Sequence, residues 1–412
     1  MRTSLFLFYL LISLILAVRL FFFYSNQPQF NDGQIINFTT TISSTPKIYQ
    51  NYQSLYVNLS PLTGVLVKLS LDREFNYGDK IQVSGKLKSR LLNSGDTIFT
   101  MDHPKVELKN HEINPFLAVI YSIRQNIINF FQQKLDIASA GLLLGIVFGI
   151  KDSLPKEFLT QIQQTGVMHV IAASGMNVTM VSGFLFYFFI LFFKRQIAIV
   201  LAILGIVFYV ALAGFEASII RAGIMGVIVF SAQIIGKQKF SSHTLFLTVA
   251  LMLFAWPEFL TSIGFQLSVA ATMGIIYIPS LFKRFINKFN EVFIITIAAQ
   301  IATLPILISN FGNYSLFSII TNALVLWTIP ILTILGMISA VFVFIFPLFA
   351  LVLLYLALPF LLFFQKTVEF FASVGAVLII PEISWQFVIS YYLILISIMV
   401  FLYEKVSNSR NS

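Results

Sequence analysis

The chain has 412 residues, of which 58% are hydrophobic and 10% charged, with a mean hydropathy of +0.88. That balance excludes an ordinary soluble globular protein and indicates a polytopic α-helical membrane protein. The net charge of +9 is dispersed over loops, which suits both cytoplasmic loop ends and a polyanionic partner, and the lack of cysteine excludes disulfides and thiolate chemistry.

Residues 4–23 form the first apolar segment, long enough to cross a hydrocarbon core of about 30 Å. FFFYSNQPQ follows where a small-residue cleavage site would stand, so residues 1–31 read as an uncleaved transmembrane anchor. Residues 32–110 change to short alternating stretches such as SLYVNLS and DKIQVSGKLK, punctuated by Gly, Asn, Asp and Pro. They predict a small all-β, OB-like domain. Its nine basic and seven acidic residues make no strong electrostatic groove. Tyr49, Tyr52, Tyr56 and Tyr77 are candidates for stacking on bases, against the bland alternative that strand aromatics fill the core.

Residues 111–136 carry apolar side chains at helical spacing opposite Arg124, Gln125, Gln132 and Gln133, which predicts an amphipathic helix at the membrane interface in contact with lipid headgroups. Residues 137–404 form the main membrane domain, and 405–412 a short cytoplasmic tail. Within that domain the run SAGLLLGIVFGI at 139–150 is too short to span comfortably and reads as re-entrant. Spans are expected near 167–193, 196–213, 217–236, 244–262, 264–281, 292–309, 315–346, 348–376 and 385–403. The run 315–346 is too long for one straight helix, and Asn322 and Pro330 point to a break inside it. With Arg2 cytoplasmic, this count places Lys194-Arg195, Lys237 with Lys239, Lys283-Arg284 with Lys288, and Lys405 with Arg410 on the inside as well. The β-domain then lies outside the cytoplasm.

Polar, backbone-loosening residues at membrane depth need protein or water around them. The stretch GVMHVIAASGMNV therefore marks a lined site or path, with His169, Ser174, Gly175 and Asn177 its candidates. Glu216 suits a first helical turn, where a carboxylate meets the positive end of the helix dipole. Arg221 lies more than a turn deeper. A structural ion pair with Glu216 and a phosphate contact in a wet path are both open for it. Gln266, Gln300 and Asn322 are further polar positions in apolar spans, readable as path lining or as interhelical hydrogen bonding. Four histidines without ligand spacing give no metal site, and no nucleotide-binding loop or paired catalytic carboxylates occur, so no cofactor is expected.

The ordered set LLLGIVFGIKDSLPKEF, TGVMHVIAASGMNV, AGFEASIIRAGIMG, WPEFLTSIGFQLSVAATMGII and AAQIATLPILISNFGNYSLF resembles the ComEC competence family, the DNA-internalisation channel of natural transformation. The resemblance implies a non-enzymatic channel of the cytoplasmic membrane that passes single-stranded DNA inward. It also implies an extracytoplasmic DNA receptor upstream and a cytoplasmic helicase-like ATPase to pull the strand. In this family the turn commonly carries a second histidine where this chain has Asn177. Many relatives add a C-terminal metallo-β-lactamase-like domain. No HxHxDH-like cluster occurs here, so the resemblance is to the form lacking that domain, and a nuclease is expected from a separate chain. Two other readings stand beside the channel: a transporter of a small molecule or lipid precursor using the same broken helices, and an intramembrane hydrolase built on Ser174 and His169.

Overall fold

A computed structural model describes residues 2–42, 47–48, 52–70, 79–91, 97–110, 115–151, 153–171, 175–234, 241–281, 291–311, 313–315, 317–375, 377–379 and 383–411. The chain divides into two compact units, Met1–Gln125 with Trp256–Glu258, and Asn126–Ala255 with Phe259–Ser412.

The first unit opens with helix α1, Arg2–Ser25. Its side chains Leu7, Leu10, Leu14, Phe21 and Phe22 are exposed, a surface that lipid covers at no cost and water does not. Among the described residues eight strands follow: β1 Ile35–Thr41, β2 Lys47–Ile48, β3 Gln53–Ser60, β4 Thr63–Leu69, β5 Lys80–Lys86, β6 Lys88–Leu91, β7 Thr97–Asp102 and β8 Lys105–Asn110. They form two sheets, β1-β5-β8 and β2-β3-β4-β7-β6, antiparallel except for β4 against β7. Alternation buries Leu55 and Val57 of β3, Val65, Val67 and Leu69 of β4, Ile81 and Val83 of β5 and Met101 of β7 in one core. The small β-domain expected after the first helix is therefore present, as two sheets over a shared apolar core. Asp102 accepts from Lys88 Nζ at 2.9 Å and lies 3.0 Å from Lys68 Nζ. These two ammonium groups hold its carboxyl below the ordinary aspartate range.

Helix α2, Pro115–Lys134, buries Ile120, Ile127 and Phe131 on one face, followed by buried Leu135. A helix stands where the sequence places an interfacial one, and part of its apolar stripe is covered by protein. The second unit continues with α3 Ile137–Phe148, α4 Lys156–Gln164, α5 Met168–Ile171, α6 Gly175–Ile190, α7 Arg195–Leu212, α8 Ala217–Ile234 and α9 Ser241–Ala255. It ends with α10 Ile263–Leu281, α11 Glu291–Phe311, α12 Ser318–Val325, α13 Thr328–Phe342, α14 Pro347–Val374 and α15 Trp385–Asn411. Among the described residues six stretches are long and apolar enough to cross a membrane, which fits a multi-pass α-helical membrane protein.

Proline sets several element ends. The span expected over 244–262 stops at Ala255, because Pro257 opens a separate 3₁₀ turn over Pro257–Thr261. The run 315–346 breaks between α12 and α13, as expected. Pro330 cannot donate to Leu326 O, so Ile329 N bonds that carbonyl at 3.2 Å and the Thr328 hydroxyl takes the Val325 carbonyl at 2.7 Å. In α11, Pro305 leaves the carbonyl of Ile301 without its intrahelical donor, and the Tyr391 hydroxyl of α15 supplies one at 2.9 Å. Tyr392 donates to Ala302 O beside it at 2.8 Å.

Candidate functional site

The site is built around the end of α3. This helix is apolar on every side and buried from Ser139 to Phe148, so no water reaches its last carbonyls. Its start is capped by Asp136, which accepts from Ser139 N at 3.0 Å, and Gln365 donates to the Ser139 hydroxyl at 2.9 Å. At the other end Gly149 turns the chain in the left-handed conformation and its N–H bonds Gly145 O at 2.9 Å. The carbonyls of Ile146 and Val147 still need donors. Asn177 of α6 donates to Ile146 O at 2.5 Å, and the Tyr209 hydroxyl of α7 donates to Val147 O at 2.6 Å. The Asn177 side chain also hydrogen-bonds the Tyr209 oxygen. A short helix with protein on all sides is what a re-entrant element requires.

Directly after this end comes Lys151, whose Nζ lies 4.0 Å from Glu216 Oε1. The turn between α7 and α8 places Glu216. Gly214 N bonds Ala211 O at 3.2 Å and Phe215 N bonds Val210 O at 3.2 Å, the paired bonds of a Schellman ending. Gly214 takes φ +87° without strain, whereas Phe215 holds φ +58°, a region that costs a side-chain-bearing residue free energy. Glu216 then opens α8, its carbonyl accepting from Ile220 N at 2.9 Å. The carboxylate is thus at a helix start, as the sequence indicates. Both members of the pair are more than a third exposed, so the bridge contributes at most about 1 kcal/mol.

Arg221 is one turn further along α8 and 6% exposed. Its Nε donates to Ser268 Oγ at 2.7 Å, and Nη1 donates to Thr272 Oγ1 at 2.6 Å and to Met225 Sδ at 3.3 Å. The Thr272 proton is spent on Ser268 O at 2.8 Å, which leaves the hydroxyl free to accept from the guanidinium. Hydrogen bonds to a charged group contribute about 1.5–3 kcal/mol each. Placing an arginine in a membrane helix costs about 2.5–3.5 kcal/mol on insertion scales. Two hydroxyls therefore suffice to hold it, and no carboxylate pairs with it among the described residues. The ion pair with Glu216 that the spacing permits is not formed; the carboxylate faces Lys151. The Nη2 atom points at the first residue of α6: a Cβ on Gly175 would stand 2.9 Å from it. A side chain at this position would crowd the guanidinium, which would have to shift to admit it.

Gly175, Asn177, Glu216 and Arg221 thus fall in one neighbourhood, formed by α3, α6, α7, α8 and α10. His169 lies beside it on α5, whose Ile171 packs against Gly145 of α3. The His169 ring hydrogen-bonds the Gly166 backbone and is exposed, whereas Val170 and Ile171 beside it are buried. The remaining candidates stand apart. Gln266 donates to Leu260 O at 2.9 Å and ties the 3₁₀ turn to α10. Gln300 is half-buried on α11. Asn322 is buried in α12 and its Oδ1 has no hydrogen-bond partner among the described residues. Ser174, Tyr49 and Tyr77 lie outside the described residues. In the β-domain, the Tyr56 ring is exposed and crosses Gly64 of the neighbouring strand, and Lys68 Nζ stands 5.8 Å from the centre of the Tyr52 ring.

Sequence reasoning missed Lys151, Tyr209, Ser268 and Thr272 as members of this neighbourhood. Ser268 and Thr272 did leave a signal, a polar pair at i, i+4 in the span that faces α8.

Comparison with known proteins adds sequence evidence. Residues 146–405 match the family described as Competence protein. ComE operon protein 3 of Bacillus subtilis is 30% identical over 210 residues, 51% of this chain and 27% of that protein. An uncharacterized protein of Aquifex aeolicus is 29% identical over 236 residues, 55% of this chain and 54% of the relative. The chain thus spans about a quarter and about half of these two relatives. No solved structure matches. Because the family match covers well over half of the chain, including α6, α8 and the Arg221 neighbourhood, the chain belongs to the competence protein family.

Proposed function

We propose that the chain is a channel of the cytoplasmic membrane that passes single-stranded DNA inward during natural transformation, without covalent chemistry. The observation that carries this reading is Arg221: a buried guanidinium held by hydroxyls and a thioether, with one nitrogen turned to the start of α6 and no carboxylate among the described residues to neutralise it. An uncompensated, planar cation inside a membrane domain attracts a phosphate, and one such group holds a strand without trapping it. His169, Ser174, Gly175 and Glu216 line the same path on this reading, Asn177 fixes the end of α3 beside it, and Gln266, Gln300 and Asn322 lie further along. Tyr52 and Tyr56 offer rings to bases in the β-domain, on the extracytoplasmic side, where a DNA receptor delivers the strand. On this reading a cytoplasmic helicase-like ATPase supplies the pull, and a nuclease removes the complementary strand.

Import of radiolabelled DNA into a deletion strain complemented with variants tests this. Arg221→Gln should lose import while the protein is found folded in the membrane, and Arg221→Lys should retain part of it, since the charge persists without the fork. Wild-type import by Arg221→Gln would overturn the reading. The break between α12 and α13 also fits a transporter of a small molecule or lipid precursor. A growth defect on deletion, with DNA import unchanged, would favour that alternative.

A further inference from the structure

Lys151 and Glu216 form a charged pair within the Arg221 neighbourhood. The pair is loose at 4.0 Å, and both side chains are partly open. A bridge of that geometry contributes little to stability. Yet the backbone on either side is fixed with care. Lys151 follows the left-handed Gly149 that ends α3, and Glu216 follows Gly214 and a left-handed Phe215. Phe215 is itself exposed, so its costly conformation is not explained by packing against other residues of the protein. What this backbone achieves is to bring a carboxylate to the ammonium at the mouth of the turn, one helical turn from Arg221.

We infer that Lys151 is a second phosphate contact on the path, and that Glu216 occupies it as an internal stand-in until a phosphate of the strand displaces the carboxylate. The inference rests on the DNA reading of the Arg221 site. An ammonium is a point charge with three donors and exchanges one oxyanion for another without a fixed geometry, which suits a site that must release what it binds. The carboxylate keeps Lys151 in place in the empty state and lowers its pull on anions in general. A single phosphate competes with it; a strand that also reaches Arg221 does so at high effective concentration.

The test uses the full chain purified in detergent and a fluorescent oligothymidylate, with binding read by anisotropy over a range of salt. Glu216→Gln should tighten binding about threefold or more. Lys151→Gln should weaken it and reduce the magnitude of the log–log salt slope by about 0.7, the value for one phosphate contact on a single strand. In the double variant the gain from Glu216→Gln should vanish, because the carboxylate acts through Lys151. Lys151→Arg should bind like wild type, and thermal unfolding of each variant shows that it is folded. If Glu216→Gln tightens binding equally when Lys151 is absent, the carboxylate acts only through its general field and the inference fails. If Arg221→Gln weakens binding while Glu216→Gln changes nothing, the inference fails and the DNA reading stands. If neither Arg221→Gln nor Lys151→Gln alters oligonucleotide binding, both fail.

Discussion

A carbonyl at the end of a helix sealed from water must find a donor, and Val147 finds it in Tyr209, 62 residues away. Removing that hydroxyl leaves the oxygen buried and unpaired. Tyr209→Phe should therefore destabilise the detergent-solubilised protein by on the order of 1 kcal/mol, as should Asn177→Leu. The two side chains share a hydrogen bond, so the double variant should cost less than the sum. Thermal or denaturant unfolding without DNA measures this, and additive losses would mean that the two caps act separately. The sequence marked Asn177, because an amide in an apolar run demands a partner, but not which one. Nothing in GIVFYVALAG distinguishes Tyr209 from any aromatic in a span, since its partner is a backbone atom that carries no residue identity. Arg221 was legible as a charge needing partners. That these are hydroxyls and not Glu216 was set by tertiary packing, because the α7–α8 turn carries the carboxylate to Lys151 instead.

Among elements, the prolines were the readable features, since each removes a known hydrogen bond wherever the fold places it. Pro330 breaks the long run between α12 and α13, as its position in the sequence predicts. Pro257 cuts a span that apolar content alone carries to residue 262; there the missing donor outweighs hydropathy. The consequence of Pro305 was not readable, because the hydroxyl that compensates it sits on α15, 90 residues beyond the carbonyl it serves. This pairing makes a sharp expectation. Tyr391→Phe should lower stability in the wild-type background, where Ile301 O has no other donor from residue 305. In a Pro305→Ala background the backbone N–H restored at that position can bond Ile301 O, and the same change should be nearly silent. A double-mutant cycle on thermal unfolding reads the coupling; equal losses in both backgrounds would show that Tyr391 acts by packing and not by repairing the proline.

For the molecule as a whole, composition and hydropathy gave the membrane class and the small β-domain, because both follow from residue periodicity and not from distant contacts. Orientation is a separate matter, decided by which loops hold their charges back from translocation. We propose that the β-domain is outside the cytoplasm and the α6–α7 turn inside. Lys194 and Arg195 at that turn carry two adjacent positive charges with an exposed Lys194, whereas the β-domain is nearly balanced in charge. The chain has no cysteine, so single cysteines report position without a background. Ser89→Cys, exposed on β6, should react with an impermeant maleimide in intact cells stripped of their wall, and Lys194→Cys should react only after lysis. The opposite pattern would invert the protein. It would also place the aromatic side chains Tyr52 and Tyr56 on the face that the strand leaves, so that the β-domain could only receive DNA after passage and not present it to Arg221.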